Sequence, residues 1–346
     1  FAMGGMEELT QCQLIEFIIS GNNSLINIFR FIFVTYPYGL EALLTFSLLK
    51  LAIYIGLTML IVAAFLLLSE FVYFRGVIGI NETASRRKVL TAKQLSDSSK
   101  GLPAVYRYFL KEVNLLLRTP VYFLNCVSVQ FLVPILLGAS VVAVPSQREA
   151  VMEYLSLISF SDPNMRVMVL TSAVALGLVM GSINMISSTA ISREGAGLYF
   201  MKIIPMDMMT QLHAKVASGI FYSMFGIVLV YGVIIYMIKI PVLLTISSVI
   251  LTLIAVAFIN YYSILIDVLR PKLIWESEQA AVKQNMNFLF TMIPAMGLSA
   301  LMVYLVINQT ISLVILPYVF GSVLVLGTFL IILILKRSAA NIILNH

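Results

Sequence analysis

Two charged connections between long apolar segments hold the residues best suited to specific contacts. The first runs from Ser192 to Pro205 and the second from Asp267 to Asn285. Both carry charges of both signs and aromatic side chains, and the second contains the only tryptophan of the chain, Trp275. A solvated turn between two membrane spans needs few residues and no aromatic groups. The connections therefore predict docking onto a partner, with headgroup anchoring by tryptophan and lysine as the alternative.

Motifs for several kinds of catalysis are missing from the sequence. It has no G-x-x-x-x-G-K-[ST] phosphate loop, so an ATPase of that class would have to be a separate polypeptide. It has no H-E-x-x-H motif, and its only histidines are His213 and His346, so no metal site is expected. Ionisable residues in the apolar segments are almost confined to Glu41 and Lys50, which counts against an ion-driven carrier. We do not expect an enzyme.

Composition indicates an integral membrane protein. Of the 346 residues, 60% are hydrophobic and 11% are charged, and the mean hydropathy is +1.00. Soluble domains are about 25% charged. Two cysteines do not make a disulfide framework. The net charge of +6 is read as a record of membrane topology, with no nucleic-acid partner expected.

The predicted fold class is an all-α polytopic membrane protein with about seven transmembrane helices. A bilayer core about 30 Å thick needs roughly 20 apolar helical residues. Segments that meet this requirement are 41–69, 120–144, 166–190, 213–238, 241–266, 287–307 and 312–335. Most lysines and arginines outside them fall in 70–119, in the two connections and in the C-terminal tail. The positive-inside rule therefore places these parts, including the C-terminus, in the cytoplasm.

This topology divides the chain into four predicted parts. Residues 1–40 form a non-cytoplasmic segment, 41–69 a transmembrane helix, 70–101 a cytoplasmic linker, and 102–338 a six-span unit. One interpretation of the transmembrane helix at 41–69 is that it ends an earlier repeat.

Residues 102–118 have the pattern of a basic amphipathic helix. Arg107, Lys111 and Arg118 share one face, and the opposite face is apolar. A helix of this kind directly before a span is expected to lie in the cytoplasmic membrane interface. The alternative is an ordinary soluble helix in a loop.

Several polar or small residues lie within the predicted spans. They could line a polar translocation path, or they could bond and pack neighbouring helices. These residues are Asn125, Gln130, Gly177, Gly181, Asn184 and Asn260.

The order of these features resembles the membrane subunits of type-2 ATP-binding-cassette (ABC) exporters. The shared order is a basic interfacial helix, six spans, and a short Ser-Arg-Glu-Gly helix ending at Pro205 after the second span. The stretch from Asp267 to Asn285 resembles a signature of one bacterial exporter branch within that group. The resemblance covers roughly residues 100–338.

The resemblance implies a coupling helix at 192–204 that sits in a groove of the ATPase subunit. The coupling residues would be Arg193, Glu194, Gly195, Gly197, Lys202 and Pro205. A second cytoplasmic contact would comprise Asp267, Pro271, Lys272, Trp275, Glu276, Glu278, Lys283 and Asn285.

The resemblance also implies a permease subunit in the bacterial plasma membrane that exports an amphipathic or lipophilic cargo. ATP and Mg would bind to the partner ATPase and no cofactor to this chain. Family members pair two six-span halves, so a second half or a homodimer is expected. The chain departs from the family in its extra span and in the short segment 308–310 before its last span. The alternative function is a secondary transporter or channel that has no ATPase partner.

Overall fold

The computed structural model describes residues 35–82, 103–143, 160–238, 240–307 and 315–345. These residues form helices and connections and contain no strand. The predicted segment 1–40 lies largely outside the described residues, as does most of the linker 70–101. The chain separates into two compact units, residues 1–101 with 143–147, and residues 102–142 with 148–346.

The first unit contains two helices, α1 (Tyr36–Thr45) and α2 (Leu48–Glu82). A left-handed residue, Phe46, separates them. Lys50 Nζ lies 2.7 Å from a carboxylate oxygen of Glu41, so the two ionisable residues noted in the first predicted span pair with each other. The predicted span 41–69 is therefore the end of one helix and the start of another.

The second unit contains the remaining helices. They are α3 (Ala104–Arg118), α4 (Ser128–Ala143), α5 (Pro163–Ser182), α6 (Leu198–Ile203), α7 (Met208–Met237), α8 (Val242–Leu269), α9 (Glu278–Lys283), α10 (Asn287–Ile307) and α11 (Leu316–Asn345). A single turn at Pro120–Tyr122 and a π-helical turn at Phe123–Val127 lead into α4. Asp162, Asp207 and Ser277 cap the N-termini of α5, α7 and α9 with their side-chain oxygens.

Six segments of the described residues are long and apolar enough to cross a membrane. They are Leu48–Glu70, Pro163–Ile203, Met208–Met237, Val242–Leu269, Glu278–Val306 and Leu316–Arg337. A seventh is possible if Ala104–Arg118 and Pro120–Leu136, which meet at 86°, are counted together. The prediction of an all-α polytopic membrane protein is confirmed.

The sharp bend at Thr119 separates α3 from the segment that follows it. Pro120 has no backbone N–H and disfavours a helical conformation at Thr119, whose backbone is extended. The basic residues Arg107 and Arg118 are exposed on α3, and Tyr108, Val113 and Leu116 are buried on its inner face. The helix expected at 102–118 is therefore present over Ala104–Arg118.

Helix α5 is the centre of the second unit and packs against α8 and α10. A Cβ atom on Gly177 would lie 2.5 Å from the Thr252 carbonyl oxygen, and one on Gly181 would overlap the Ile259 side chain. The small residues thus serve a close α5–α8 contact within the chain. Between the helices, Leu170, Val174 and Leu178 join Ala255 and Ile259 in one apolar cluster.

Helix α5 ends at Ser182, eight residues before the predicted end at 190. Buried Asn184 holds the chain after this break: its Nδ2 donates to Gly219 O and Ser223 Oγ on α7, and its Oδ1 accepts from Ile186 N. Met185 takes a left-handed conformation with φ 54°. The chain leaves the helix here because polar side chains satisfy its backbone, and the buried segment that follows leads into the first connection.

Candidate functional site

The two connections identified in the sequence lie against each other at one end of the second unit. Buried Asp267, in the last turn of α8, joins them. Its Oδ2 accepts hydrogen bonds from Ile191 N at 2.6 Å and Ser192 N at 3.1 Å. Its Oδ1 accepts from Ser192 Oγ and, at 2.8 Å, from Asn287 Nδ2 at the start of α10. One carboxylate therefore connects the break after α5 with the ends of α8 and α10.

Trp275 closes this joint from the outside. Its Nε1 donates to Ser192 O at 2.9 Å, and Lys272 N donates to Ser192 Oγ at 2.9 Å. The indole covers Gly195, where an added Cβ would lie 2.8 Å from Trp275 Cζ2. Gly195 also has φ 50° and ψ −127°, a conformation open almost only to glycine. We call Ser192, Gly195, Asp267, Trp275 and Asn287 the buried joint.

A cluster of four charges holds the same connection to α3 and α7. Lys215 Nζ, on α7, donates to Glu112 Oε1 at 2.9 Å and also to Glu194 Oε1. Lys111 Nζ contacts the same two oxygens at 3.1 and 3.2 Å. The side chains of Lys215 and Glu112 are 1% and 0% exposed, and that of Glu194 is 14% exposed. Two cations and two anions thus balance one another in what we call the charge cluster.

Glu112 and Lys215 are functional candidates that were not expected from the sequence. Lys215 falls inside the predicted span 213–238, two residues after its start at His213, in an otherwise apolar and weakly polar segment. An ionisable residue within a span is a functional candidate by default, because its burial is costly unless it is paired. Glu112 interrupts the apolar face of α3, between Tyr108 and Leu116. A lysine within a predicted span and a glutamate on an apolar helix face were the two features of the sequence that could have identified these residues.

The expected coupling helix at 192–204 requires a correction. The segment consists of a 3₁₀ stretch at Ser192–Gly197, which is interrupted at Gly195, and the short helix α6. Arg193 is 5% exposed, and its Nη1 donates to Ile186 O and Thr189 Oγ1 at 2.8 and 2.7 Å. Its guanidinium lies 5.7 Å from the Tyr122 ring centre. Arg193 and Glu194 therefore face inward, where a charged surface contact was expected.

Apolar side chains occupy the outer surface of this connection. Tyr199, Phe200 and Ile203 on α6 are 64%, 67% and 58% exposed, and Ile274 is 93% exposed. Tyr199 and Ile274 line a cavity of about 550 Å³, together with Lys202 and Trp275. We call Tyr199, Phe200, Ile203 and Ile274 the exposed patch.

The other expected contact residues divide into internal and surface groups. Lys272 Nζ donates to Ala280 O and Gln284 O, so it caps the end of α9. Asn285 is buried and accepts from Asn287 N at 3.0 Å. Gly197 has open space, since an added Cβ would meet nothing closer than 3.8 Å. The remaining positions are partly or fully exposed: Lys202, Pro205, Pro271, Glu276, Glu278 and Lys283.

The polar residues within the spans form contacts inside the protein. Gln130 Nε2 donates to Met180 O at 2.8 Å, and Asn260 Oδ1 accepts from Ser187 Oγ at 2.6 Å. Asn125 donates to Val121 O in its own helix. These bonds favour the helix-contact interpretation over a polar path. Lys111, expected on the outer face of the interfacial helix, is exposed there and also contributes to the charge cluster.

Comparison of the chain with family models, curated proteins and solved structures finds no match. Within the described residues, no group of three or more histidine, cysteine or acidic side chains could hold a metal ion. The function is therefore argued from the buried joint, the charge cluster and the exposed patch.

Proposed function

We propose that this chain is the permease subunit of an ATP-driven ABC exporter whose ATPase is a separate polypeptide. The observation that carries the proposal is the exposed patch. Large apolar side chains on a membrane span face lipid, but Tyr199 and Phe200 lie beyond the break of α5 at Ser182, on the short helix α6, and Ile274 lies between α8 and α9. Exposed aromatic clusters next to a cavity are typical of protein contacts. The positive-inside rule predicts that this end of the protein lies in the cytoplasm, where an ATPase could reach it.

The contacts beneath the exposed patch suit a device that transmits movement. The buried joint links the patch to α8 and α10 through Asp267. The charge cluster links it to α3 and α7 through Lys215 and Glu112. A displacement of α6 would therefore be passed to four helices, which is the requirement for switching between packed arrangements.

The exporter proposal includes its expected surroundings. The subunit would lie in a bacterial plasma membrane and pair with a second permease half or a second copy. ATP and Mg would bind only to the ATPase. The cargo would be amphipathic or lipophilic, because span residues such as Gln130 and Asn260 bond to other parts of the protein and do not form a polar path.

One observation favours a second candidate, a secondary carrier without an ATPase. Glu112 is fully buried, and its Oε2 has no hydrogen-bond partner among the described residues. Buried ionisable groups of this kind are used by ion-coupled transporters. Transport by the chain alone in liposomes, driven by an ion gradient, would support this candidate against the exporter.

The exporter proposal is tested by capture of its ATPase. A tagged chain is isolated in mild detergent from its native membranes, and bound polypeptides are labelled with photoreactive azido-ATP. We expect a labelled phosphate-loop polypeptide that is reduced at least fivefold in the variant Tyr199→Ala with Phe200→Ala. The matched control is Tyr236→Ala, because Tyr236 is 78% exposed but lies at the opposite end of α7. Absence of a labelled partner, or equal retention by the double variant, would refute the proposal.

A further inference from the structure

Two neighbouring cavities lie at the end of the bundle opposite the connections. The apolar cavity has a volume of about 280 Å³ and is lined mainly by α5, α7 and α8. The Arg166 cavity has a volume of about 500 Å³ and contains Arg166 from the first turn of α5. Phe160 lines both. The two cavities therefore adjoin, and one of them carries a cation.

The apolar cavity is suited to a hydrocarbon chain. Its lining includes Met165, Met168, Leu176 and Ile234. Met165 and Leu176 are separated by about 16 Å along the axis of α5, since a helix rises 1.5 Å per residue. Methionine side chains adapt to flexible partners. The volume is slightly below the 300 Å³ or more that drug-sized ligands require, so it suits one chain and not two.

Two of the polar side chains that line this cavity, Tyr231 and Ser248, already form hydrogen bonds within the protein. The Tyr231 hydroxyl shares a 2.9 Å hydrogen bond with the Thr252 hydroxyl. The Ser248 hydroxyl donates to Thr245 O at 2.8 Å. A water molecule needs two to four polar partners, and apolar cavities without them stay dry. Empty space deprives its lining of dispersion contacts, so an acyl chain is the natural occupant.

Arg166 supplies the selectivity that an apolar cavity in a membrane lacks. Moving a chain from lipid into the cavity gains little hydrophobic free energy, since lipid tails are equally apolar. The headgroup must therefore determine which amphiphile the cavity binds in preference to the surrounding lipid. Arg166 is exposed, and its Nε donates to Phe160 O at 2.6 Å, which positions the guanidinium beside the residue shared by both cavities. It forms no ion pair within the described part of the chain.

The closest acidic residue in sequence does not compensate this charge. Asp162 Oδ1 accepts from Asn164 N at 3.0 Å in the cap of α5. Guanidinium groups bind carboxylates and phosphates through paired hydrogen bonds. An anionic headgroup at Arg166 would place its attached chain next to Phe160 and the apolar cavity.

We propose that these cavities bind a single-chain anionic amphiphile, with its acyl chain in the apolar cavity and its carboxylate or phosphate at Arg166. The binding site does not depend on an ATPase. Its role as the cargo site rests on the proposed exporter function.

The proposal is tested with a photoreactive fatty acid in nanodiscs that contain the full chain. A 16-carbon acid with a diazirine near its chain end is compared with its methyl ester in phosphatidylcholine discs. We expect labelling of residues 165–176 and 231–240, at least fivefold stronger with the acid than with the ester. Arg166→Gln should abolish the preference and leave ester labelling unchanged, which separates recognition of the headgroup from folding.

A filling variant tests the apolar cavity. Ser172 is exposed and lines it, so Ser172→Trp should reduce labelling by both probes at least fivefold, and Ser172→Phe should reduce it less. Val228→Trp is the matched control, because Val228 is 66% exposed on α7 and lines neither cavity. Uniform labelling of all lipid-facing helices, unchanged labelling of Ser172→Trp, or a preserved acid preference in Arg166→Gln would overturn the proposal.

A competition experiment shows whether the bound acyl chain belongs to a single-chain amphiphile or to a two-chain membrane lipid. Phosphatidylglycerol, a two-chain anionic lipid, should not displace the acid, and complete displacement would overturn the single-chain assignment. If the acid binds as expected but no nucleotide-labelled ATPase is captured, the site is supported and only its role in export fails.

Discussion

The two ends of the helical bundle are built in opposite ways. At the connection end, the buried joint and the charge cluster satisfy ionised groups through directed bonds, as Asp267 and Lys215 illustrate. At the other end, the apolar cavity is bounded by flexible methionines and has few polar contacts. Directed bonds tolerate little displacement, whereas apolar contacts allow adjustment. The comparison therefore separates a stiff end, suited to transmitting movement, from an adaptable end, suited to holding a flexible molecule.

The largest expected effect of a substitution is at the charge cluster. Lys215→Ala removes the central cation and leaves the buried carboxylates of Glu112 and Glu194 short of partners. Breaking a buried ion pair costs about 3–5 kcal/mol, so we expect the free energy of unfolding in detergent to fall by about that amount. The measurement is reversible unfolding in mixed micelles of increasing denaturing detergent.

A compensated variant separates charge imbalance from lost packing. Lys215→Met combined with Glu112→Gln should recover much of the stability, because charge and volume are better matched. A loss below about 1 kcal/mol in Lys215→Ala would contradict a stiff connection end.

The next largest effect is expected at Gly195. Gly195→Ala forces a side chain into a glycine conformation and against the Trp275 ring, so we expect a loss of about 1–3 kcal/mol. Tryptophan fluorescence reports the displacement directly, since Trp275 is the only tryptophan. Gly197→Ala is the matched control, because its Cβ would meet only distant atoms. Similar emission spectra for both variants and the original protein would show that the indole does not cover Gly195 closely.

A smaller effect is expected when Trp275 is replaced by phenylalanine. Trp275→Phe keeps an aromatic ring over Gly195 but loses the hydrogen bond to Ser192 O. A single hydrogen bond contributes about 1 kcal/mol, and the same unfolding assay measures it. Trp275→Ala should cost more because the ring is also lost, and the reverse order would argue against a packed joint.

The smallest effect is expected in the apolar cavity. Met168→Leu changes shape at nearly constant volume at a position that is 43% exposed. We expect the free energy of unfolding to change by less than about 0.5 kcal/mol. A loss as large as that of Gly195→Ala would mean that the two ends do not differ in tolerance.

Much of the fold could be predicted from the sequence because membrane spans are long and apolar. The helices over 213–238, 241–266 and 287–307 were predicted to within a few residues of α7, α8 and α10. The break of α5 at Ser182 was not predicted, because residues 183–190 remain apolar enough to continue a span. Asn184 ends the helix through contacts with α7, which lies far away in sequence.

The position of the candidate site along the chain could be predicted from the sequence. Which of its side chains face the surface and which face the interior could not. Charge and aromatic content placed both connections among the candidates, and the structure brings them together through Asp267. The family resemblance implied that Arg193 and Glu194 face outward as coupling residues, whereas the aromatic side chains of the connections, Tyr199 and Phe200 among them, predicted a docking surface. The direction in which these side chains point depends on their partners, Lys215 for Glu194 and Thr189 for Arg193. Tertiary packing brings these partners into contact.

The sequence by itself determined an all-α membrane protein, its approximate spans and the two connections that stand out from them. These properties follow from composition and from the length that a bilayer requires, and they depend on neighbouring residues only. Tertiary structure alone decided that Lys215 is a buried counterion, that Gly195 must be glycine and that Arg166 lies beside an apolar cavity. Each of these depends on atoms brought together from distant segments, because burial, pairing and close approach are properties of the packed chain.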